Sequence, residues 1–171
     1  MNTNEKSLSP LQRLIRKFAA SLPGTRLFSR SLSKIDNLTL KASHGKLTST
    51  SLLAGLPVIL LTTTGAKSGQ PRSLPLVSIL DPDTPSQMAL IASNFGNQHH
   101  PAWYYNLKAY PQVTGSINGQ TRAYTAREAA GEEYEQIWQR ACATYAGFAL
   151  YKQLAAPRVI PILVLEPENP E

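Results

Sequence analysis

Residues 57–80 read PVILLTTTGAKSGQPRSLPLVSIL. Residues 57–63 and 73–80 are short apolar runs that contain β-branched residues, a composition typical of buried strands. The residues between these two runs contain glycine and proline, which mark a turn. This stretch therefore predicts two strands joined by a short polar connection.

Four more segments carry strand patterns, so six strands are expected in all. They are residues 88–93, 113–117, 121–126 and 159–165. Asn118 and Gly119, between the second and third of these four, are a strong signal for a type I′ hairpin. Helices are expected from Pro101 and over about residues 131–145. Six short strands with few helices predict a mainly β fold with flanking helices, arranged as a small antiparallel barrel.

The composition fits one folded unit with a basic extension. The chain has 171 residues, of which 42% are hydrophobic and 16% charged, so wholesale disorder is excluded. The net charge is +6, and residues 1–50 alone hold nine basic and two acidic residues. We therefore expect an N-terminal extension over residues 1–50 and a barrel domain over residues 51–171. The basic excess suits an anionic partner, but basic residues this dispersed do not favour nucleic acid.

The cysteine count and the hydropathy pattern indicate the cellular compartment in which the protein is expected. Cys142 is the single cysteine, which excludes an internal disulfide and a metal site built from several cysteines. The sequence has no apolar run of membrane-spanning length and no signal-peptide pattern. The cytoplasm is therefore the expected location.

The first predicted helix begins at Ser9-Pro10, a helix cap followed by proline. Its apolar residues share one face and basic residues cover the others. That apolar face consists of Leu11, Leu14, Ile15, Phe18 and Ala19. Two interpretations stay open: the helix packs on its own domain, or residues 10–20 lie on the anionic inner face of the cell membrane.

The turn at residues 65–72 is the first candidate site. Its glycines, its hydroxyl group and the cations Lys67 and Arg72 could hold a phosphate or carboxylate in a nest of backbone N–H groups. A solvated hairpin turn explains the same composition. The spacing is neither that of a P-loop nor that of a dinucleotide-binding glycine motif.

Two aromatic clusters are further candidates. Residues 93–106 leave a strand end through small polar residues and enter an aromatic-rich helix suited to a planar ligand. His99 and His100 lie in this segment, but adjacent histidines without a third ligand predict no metal site. The second cluster is Tyr145, Phe148 and Tyr151, followed by Arg158; it fits either a core stripe or an aromatic lid over a flat substrate.

Three motifs in this order resemble the deazaflavin-dependent nitroreductases, also called F420H2-dependent quinone reductases. The motifs are LLTTTGAKSGQPR at residues 60–72, SNFG at residues 93–96 and HPAWYYNL at residues 100–107. The resemblance covers about residues 50–166. It implies a split β-barrel of the FMN-binding type, with coenzyme F420 as cofactor in preference to FMN.

The resemblance also implies roles for individual residues. Those for the phosphate and polyglutamate tail are Lys67, Ser68, Gly69, Gln70 and Arg72. Those for the deazaflavin ring are Pro75, Leu76, Ser93, Asn94, Phe95 and Gly96. Trp103, Tyr104 and Asn106 would close the pocket, and Tyr145, Phe148 and Tyr151 would face the substrate. Ser93, Tyr145 or water would donate the proton. Ala66 and Phe148 depart from the family pattern, which has a basic residue and often a tyrosine at these positions.

The implied reaction is hydride transfer from reduced F420 to an electron-poor planar acceptor, such as a quinone, an enone or a nitroaromatic. The sequence offers few candidate catalytic acids and bases, which agrees with a reaction in which the coenzyme carries the hydride. The alternatives are a split-barrel protein that binds FMN, a lipid or a tetrapyrrole, and a peripheral membrane module without turnover.

Overall fold

The structure is a computed structural model that describes residues 9–19, 21, 55–81, 84, 87–117 and 119–168. Its six strands form one closed antiparallel barrel in the order β1-β2-β3-β6-β5-β4. They are β1 Val58–Thr64, β2 Pro71–Leu80, β3 Met88–Ile91, β4 Gln112–Ile117, β5 Gln120–Glu128 and β6 Ile162–Pro167. The α-helices among the described residues are α1 Pro10–Ala19, α2 Ala102–Ala109, α3 Gly131–Thr144 and α4 Gly147–Ala155. The predicted fold class is confirmed.

The barrel interior is one of two apolar cores. Alternate residues of β1 point inward, so Ile59 and Leu61 are fully buried while their neighbours are half-buried. Trp103 and Leu107 of α2 belong to the same core. Helix α2 therefore closes one end of the barrel with apolar side chains.

The second core lies on the outer surface of the barrel. Ile79, Ile91 and Ile162 point outward from β2, β3 and β6 and pack with residues of α3 and α4, including Trp138 and Phe148. Strands β3 and β6 lie between the two cores; all four residues of β3 and the first four of β6 are buried. This explains why these segments read as continuous apolar runs.

Several predicted boundaries differ from the structure. The last strand begins at Ile162 instead of residue 159, and Val159 is 72% exposed. The third strand ends at Ile91 because residues 94–96 turn into a left-handed conformation. The predicted helix over 131–145 ends at Thr144, and the separate helix α4 after it was not predicted. In the predicted hairpin Ile117 pairs with Gln120 and Gly119 has φ +83°, while Asn118 lies outside the described residues.

Helix α1 begins with a capping box. The Gln12 N–H donates to Ser9 Oγ at 3.2 Å, and the Ser9 N–H donates to Gln12 Oε1 at 3.0 Å. Leu11 and Leu14 are 62% and 65% exposed. The side chains of residues 15–19 and residues 22–54 lie outside the described part, so the boundary near residue 50 stays a prediction. Among the described helices, none has the length and apolar character needed to span a bilayer.

Candidate functional site

Antiparallel pairing brings the candidate segments to one end of the barrel. Each strand pair is antiparallel, so the end of one strand meets the start of its neighbour. We call this the α2 end; it holds Thr64, Pro71, Ile91, Gln112, Glu128 and Ile162. The β1–β2 turn, the residues after β3, helix α2 and the residues before β6 all lie there.

The β1–β2 turn is closed by its own backbone. The Gly65 N–H donates to the Gln70 carbonyl at 2.9 Å, and the Gly69 N–H donates to the Gly65 carbonyl at 2.8 Å. Gly69 has φ +65°, a conformation that favours glycine. Lys67 and Ser68 are exposed at the tip of this turn. The turn is therefore a rigid support for exposed polar side chains.

Asn106 of α2 ties this turn to the helix. Its Nδ2 donates to Thr63 Oγ1 at 2.9 Å, and its Oδ1 accepts the Ala66 N–H at 2.9 Å. Both ends of the amide are thus engaged inside the protein, and direct contact of Asn106 with a coenzyme stays a prediction. In residues 65–70 only the Lys67 N–H lacks a partner among the described residues. An anion held at this turn would therefore be bound by side chains more than by the expected backbone nest.

The loop after β3 has an unusual backbone. Ser93 has φ −68° and ψ −34°, and the next three residues, Asn94, Phe95 and Gly96, have φ +49°, +55° and +79°. A right-handed residue followed by a left-handed one turns successive N–H groups to the same side. Within the described part of the chain, the N–H groups of Asn94 and Phe95 have no partner. This loop, more than the β1–β2 turn, has the backbone form of a nest.

Arg158 holds the two ends of this loop. Its Nη2 donates to the Ser93 carbonyl at 2.7 Å, Nη1 to the Ala92 carbonyl at 3.2 Å, and Nε to the Asn97 carbonyl at 3.0 Å. Nη1 also lies 3.1 Å from Nδ1 of His100. Sequence reasoning did not assign Arg158 to the site. Its position immediately before the predicted last strand, which leads away from the α2 end, was the available signal.

These contacts fix the protonation state of His100. A guanidinium has donors only, so Nδ1 of His100 accepts and the proton of the neutral ring lies on Nε2. Burial and the charge of Arg158 lower the pKa of His100, and Glu128 opposes them. The ring packs against Tyr104 at 4.7 Å and Tyr105 at 6.0 Å between centroids. His100 is therefore a neutral structural partner of Arg158.

We expect His100 to make folding stability depend on pH. Its folded pKa lies below the ordinary value of 6.5, so the unfolded chain takes up the proton first as the pH falls. The contribution of neutral His100 to the free energy of unfolding is therefore fully present above about pH 6.5 and is lost as the pH falls below that value. Urea unfolding at about pH 7.5 and pH 5.5 measures this difference. His100→Phe keeps a ring beside Tyr104 without a titrating group, and an unchanged pH dependence in that variant would exclude His100 as its source.

Two predicted pocket residues of α2 differ in exposure. Trp103 is buried in the barrel interior, whereas Tyr104 is half-buried and its hydroxyl donates to Glu128 at 3.3 Å. Burial, followed by the negative charge of Glu128, raises the pKa of Tyr104. Lys108 also binds Glu128, at 3.1 Å. The roles of Trp103 and Tyr104 toward a ligand stay predictions.

The third candidate cluster is packed inside the second core. The rings of Tyr145, Phe148 and Tyr151 lie 5.6–6.1 Å apart between centroids, and each residue is more than nine-tenths buried. The hydroxyls of Tyr145 and Tyr151 share a hydrogen bond of 3.3 Å. The Phe95 ring lies 6.0 Å from that of Tyr151, which joins this cluster to the loop after β3. The three aromatic side chains therefore pack as residues of the second core, and their role toward a substrate stays a prediction.

Comparisons with known proteins agree with this architecture. A sequence profile of the F420H(2)-dependent quinone reductases matches residues 33–167. An F420H(2)-dependent quinone reductase of Mycobacterium tuberculosis strain H37Rv is 34% identical over 111 residues, which cover 64% of this chain and 72% of that protein. The solved structure of an F420-H2-dependent reductase, FDR-A, has 39% identity and a TM-score of 0.58, covering 64% of this chain and 94% of that one.

A second solved structure, described as a domain-swapped dimer, has 34% identity and a TM-score of 0.60. It covers 76% of this chain and 95% of the other. The resemblance drawn from the three sequence motifs is therefore confirmed. Since the matched residues span most of the sequence, this chain belongs to the F420H(2)-dependent quinone reductase family.

Proposed function

We propose that this protein is an oxidoreductase that transfers a hydride from reduced coenzyme F420 to a quinone. The observation that carries the proposal is family membership over residues 33–167, a range that contains the whole α2 end. Enones and nitroaromatics are further acceptors of the same electron-poor, planar class. The geometry of the α2 end indicates which residues would hold such a coenzyme.

The residues at the α2 end fit the chemistry of F420. Lys67, Ser68 and Arg72 are exposed on the β1–β2 turn and on the start of β2, where they offer two cations and a hydroxyl to a phosphate and an acidic tail. The family pattern has a basic residue where this chain has Ala66, whose N–H is held by Asn106. The tail would therefore depend on Lys67 and Arg72.

The loop after β3 and strand β2 suit the ring. Ser78 of β2 pairs with Leu90 of β3, and this antiparallel register carries the residues after β3 back along β2 toward Pro75. Pro75 and Leu76 are half-buried apolar residues. Apolar side chains on β2, together with the N–H groups of Asn94 and Phe95, suit a flat ring whose edge carries hydrogen-bond acceptors.

When bound, reduced F420 supplies the hydride, and the protein supplies binding, orientation and a proton. Ser93 and Tyr145 are the proposed proton donors to the reduced acceptor, with water as the alternative. The Ser93 side chain is buried beside the nest, and the Tyr145 hydroxyl shares its hydrogen bond with Tyr151. Tyr151 could thus return a proton to Tyr145. Phe148 has no hydroxyl and contributes only apolar contact.

A turnover assay tests this function. Purified protein is mixed with reduced F420 and a soluble quinone, and oxidation of the coenzyme is followed by its absorbance. We expect oxidation that requires the protein and the quinone, and none when NADH replaces reduced F420. Turnover with reduced FMN but not with reduced F420 would reject the proposal in favour of a flavin enzyme.

We also propose that α1 attaches the protein to the inner face of the cell membrane. Leu11 and Leu14 are exposed, Arg13 lies between them, and residues 1–50 hold nine basic and two acidic residues. In sedimentation with anionic vesicles, the double variant Leu11→Ser with Leu14→Ser is expected to bind about tenfold more weakly than the original protein. Leu80→Ser, which changes an exposed leucine of β2, is the matched control and should bind normally. Equal sedimentation of all three proteins would contradict attachment through α1.

A further inference from the structure

We propose that Arg158 is a positioning residue that holds the loop at residues 92–97 in the form that receives the coenzyme ring. The proposal rests on the proposed function, because it assigns this loop to the coenzyme. Arg158 lies more than 60 positions after this loop in the sequence, so the proposal brings a distant residue into the coenzyme site.

The hydrogen bonds of Arg158 have the form of a clamp. The carbonyls of Ala92 and Ser93 precede the left-handed residues, and the carbonyl of Asn97 follows them. One planar guanidinium thus fixes both ends of the loop. Lysine could not reproduce this arrangement, because its three donors share a single nitrogen.

The loop needs such a clamp because its backbone is strained. Asn94 and Phe95 have positive φ, a sparsely populated conformation for residues other than glycine, above all for an aromatic residue such as Phe95. Asn94 Nδ2 donates to the His99 carbonyl at 3.0 Å, and Asn97 Nδ2 donates to the Asn94 carbonyl at 2.7 Å. These bonds support the loop from within, whereas Arg158 anchors it to the segment that precedes β6.

The charge of Arg158 is met by carbonyl groups and not by a carboxylate. Among the described residues, no carboxylate lies within salt-bridge distance of its guanidinium. Tyr105 is close enough to act on the charge of Arg158, and Nδ1 of His100 is a neutral acceptor beside its guanidinium. A half-buried cation without an anionic partner favours an anionic ligand nearby. The clamp therefore serves both the shape of the loop and the electrostatics of the site.

Arg158→Lys tests the proposal by two measurements. Titration with reduced F420 is expected to show about 10- to 100-fold weaker binding, because hydrogen bonds from a charged donor are lost. In the protein without coenzyme, amide hydrogens of Gly96 and Asn97 are expected to exchange faster, since both donate within the loop. The KM for quinone is expected to change less than the affinity for reduced F420, because the bonds of Arg158 go to the backbone of the loop assigned to the coenzyme ring.

Arg127→Lys is the matched control. Arg127 binds Glu133 at 2.6 Å and Glu166 at 2.7 Å on the surface, so its loss tests the effect of breaking another arginine network. It should leave coenzyme binding unchanged. If Arg158→Lys does not fold, His100→Phe removes one acceptor of the clamp, and about threefold weaker coenzyme binding is expected.

The proposal would be overturned if Arg158→Lys folds and has the coenzyme affinity of the original protein, with unchanged amide hydrogen exchange at Gly96 and Asn97. If only His100→Phe folds, its unchanged affinity would do the same. Absence of F420 binding by the original protein is a different result: it overturns the proposed function, and this assignment with it.

Discussion

Gly96→Ala is expected to destabilise the protein by about 2–4 kcal/mol, through a left-handed backbone and a steric clash. Gly96 has φ +79°, and a Cβ atom there would lie 2.6 Å from Cβ of Leu154. It would also lie 3.2 Å from the carbonyl oxygen of Tyr151, so the obstacle includes backbone. Because α4 packs directly on this glycine, the clash would push the loop away from the helix and weaken coenzyme binding.

Urea unfolding of Gly96→Ala measures this effect, and Gly69→Ala is the control. Gly69 also has positive φ, +65°, but a Cβ atom there would meet nothing within 4 Å. The control should therefore lose only about 1 kcal/mol, the cost of placing alanine in the left-handed region. Equal losses in the two variants would show that the contact with α4 does not constrain the loop.

The double substitution Lys67→Ala with Arg72→Ala is expected to weaken binding of reduced F420 by about 10- to 100-fold. Both side chains are exposed at the β1–β2 turn, so their loss should change folding stability by less than about 1 kcal/mol. Binding by the original protein should also weaken more steeply with added salt than binding by the variant, because charge attraction is screened.

Arg122→Ala with Lys152→Ala removes the same charge from β5 and α4 and serves as the control. Titration with reduced F420, followed by tryptophan fluorescence, compares the proteins. If the control weakens binding as much as the turn variant, the general charge of the protein and not the turn attracts the coenzyme.

The barrel was predictable because its strands carry local signals. The apolar run of β3 reflects burial on both faces, and that of β1 reflects full burial of alternate residues. Gly119 at the hairpin marks a turn that requires positive φ. The break between α3 and α4 was not predictable in this way. Tyr145 is extended, with φ −149° and ψ 110°, and its ring packs closely over Gly147. That contact is tertiary, whereas the aromatic spacing of three residues is compatible with a continuing helix.

The candidate site was predictable in its residue types and motifs but not in its contacts. Glycines and cations marked the β1–β2 turn, yet the engagement of Asn106 with Ala66 joins residues 40 apart. Nothing in the identity of Phe95 predicts a left-handed backbone. Arg158 joins Ser93 across 65 positions, a contact that only the closed barrel creates.

Titration of the purified protein with reduced F420, followed by tryptophan fluorescence, measures whether this chain binds the coenzyme. Trp103 lies on α2 at the proposed site, so binding should change its emission. We expect saturable quenching with a Kd at or below about tens of micromolar. Saturation by FMN together with no saturable response to reduced F420 up to about 1 mM would contradict it.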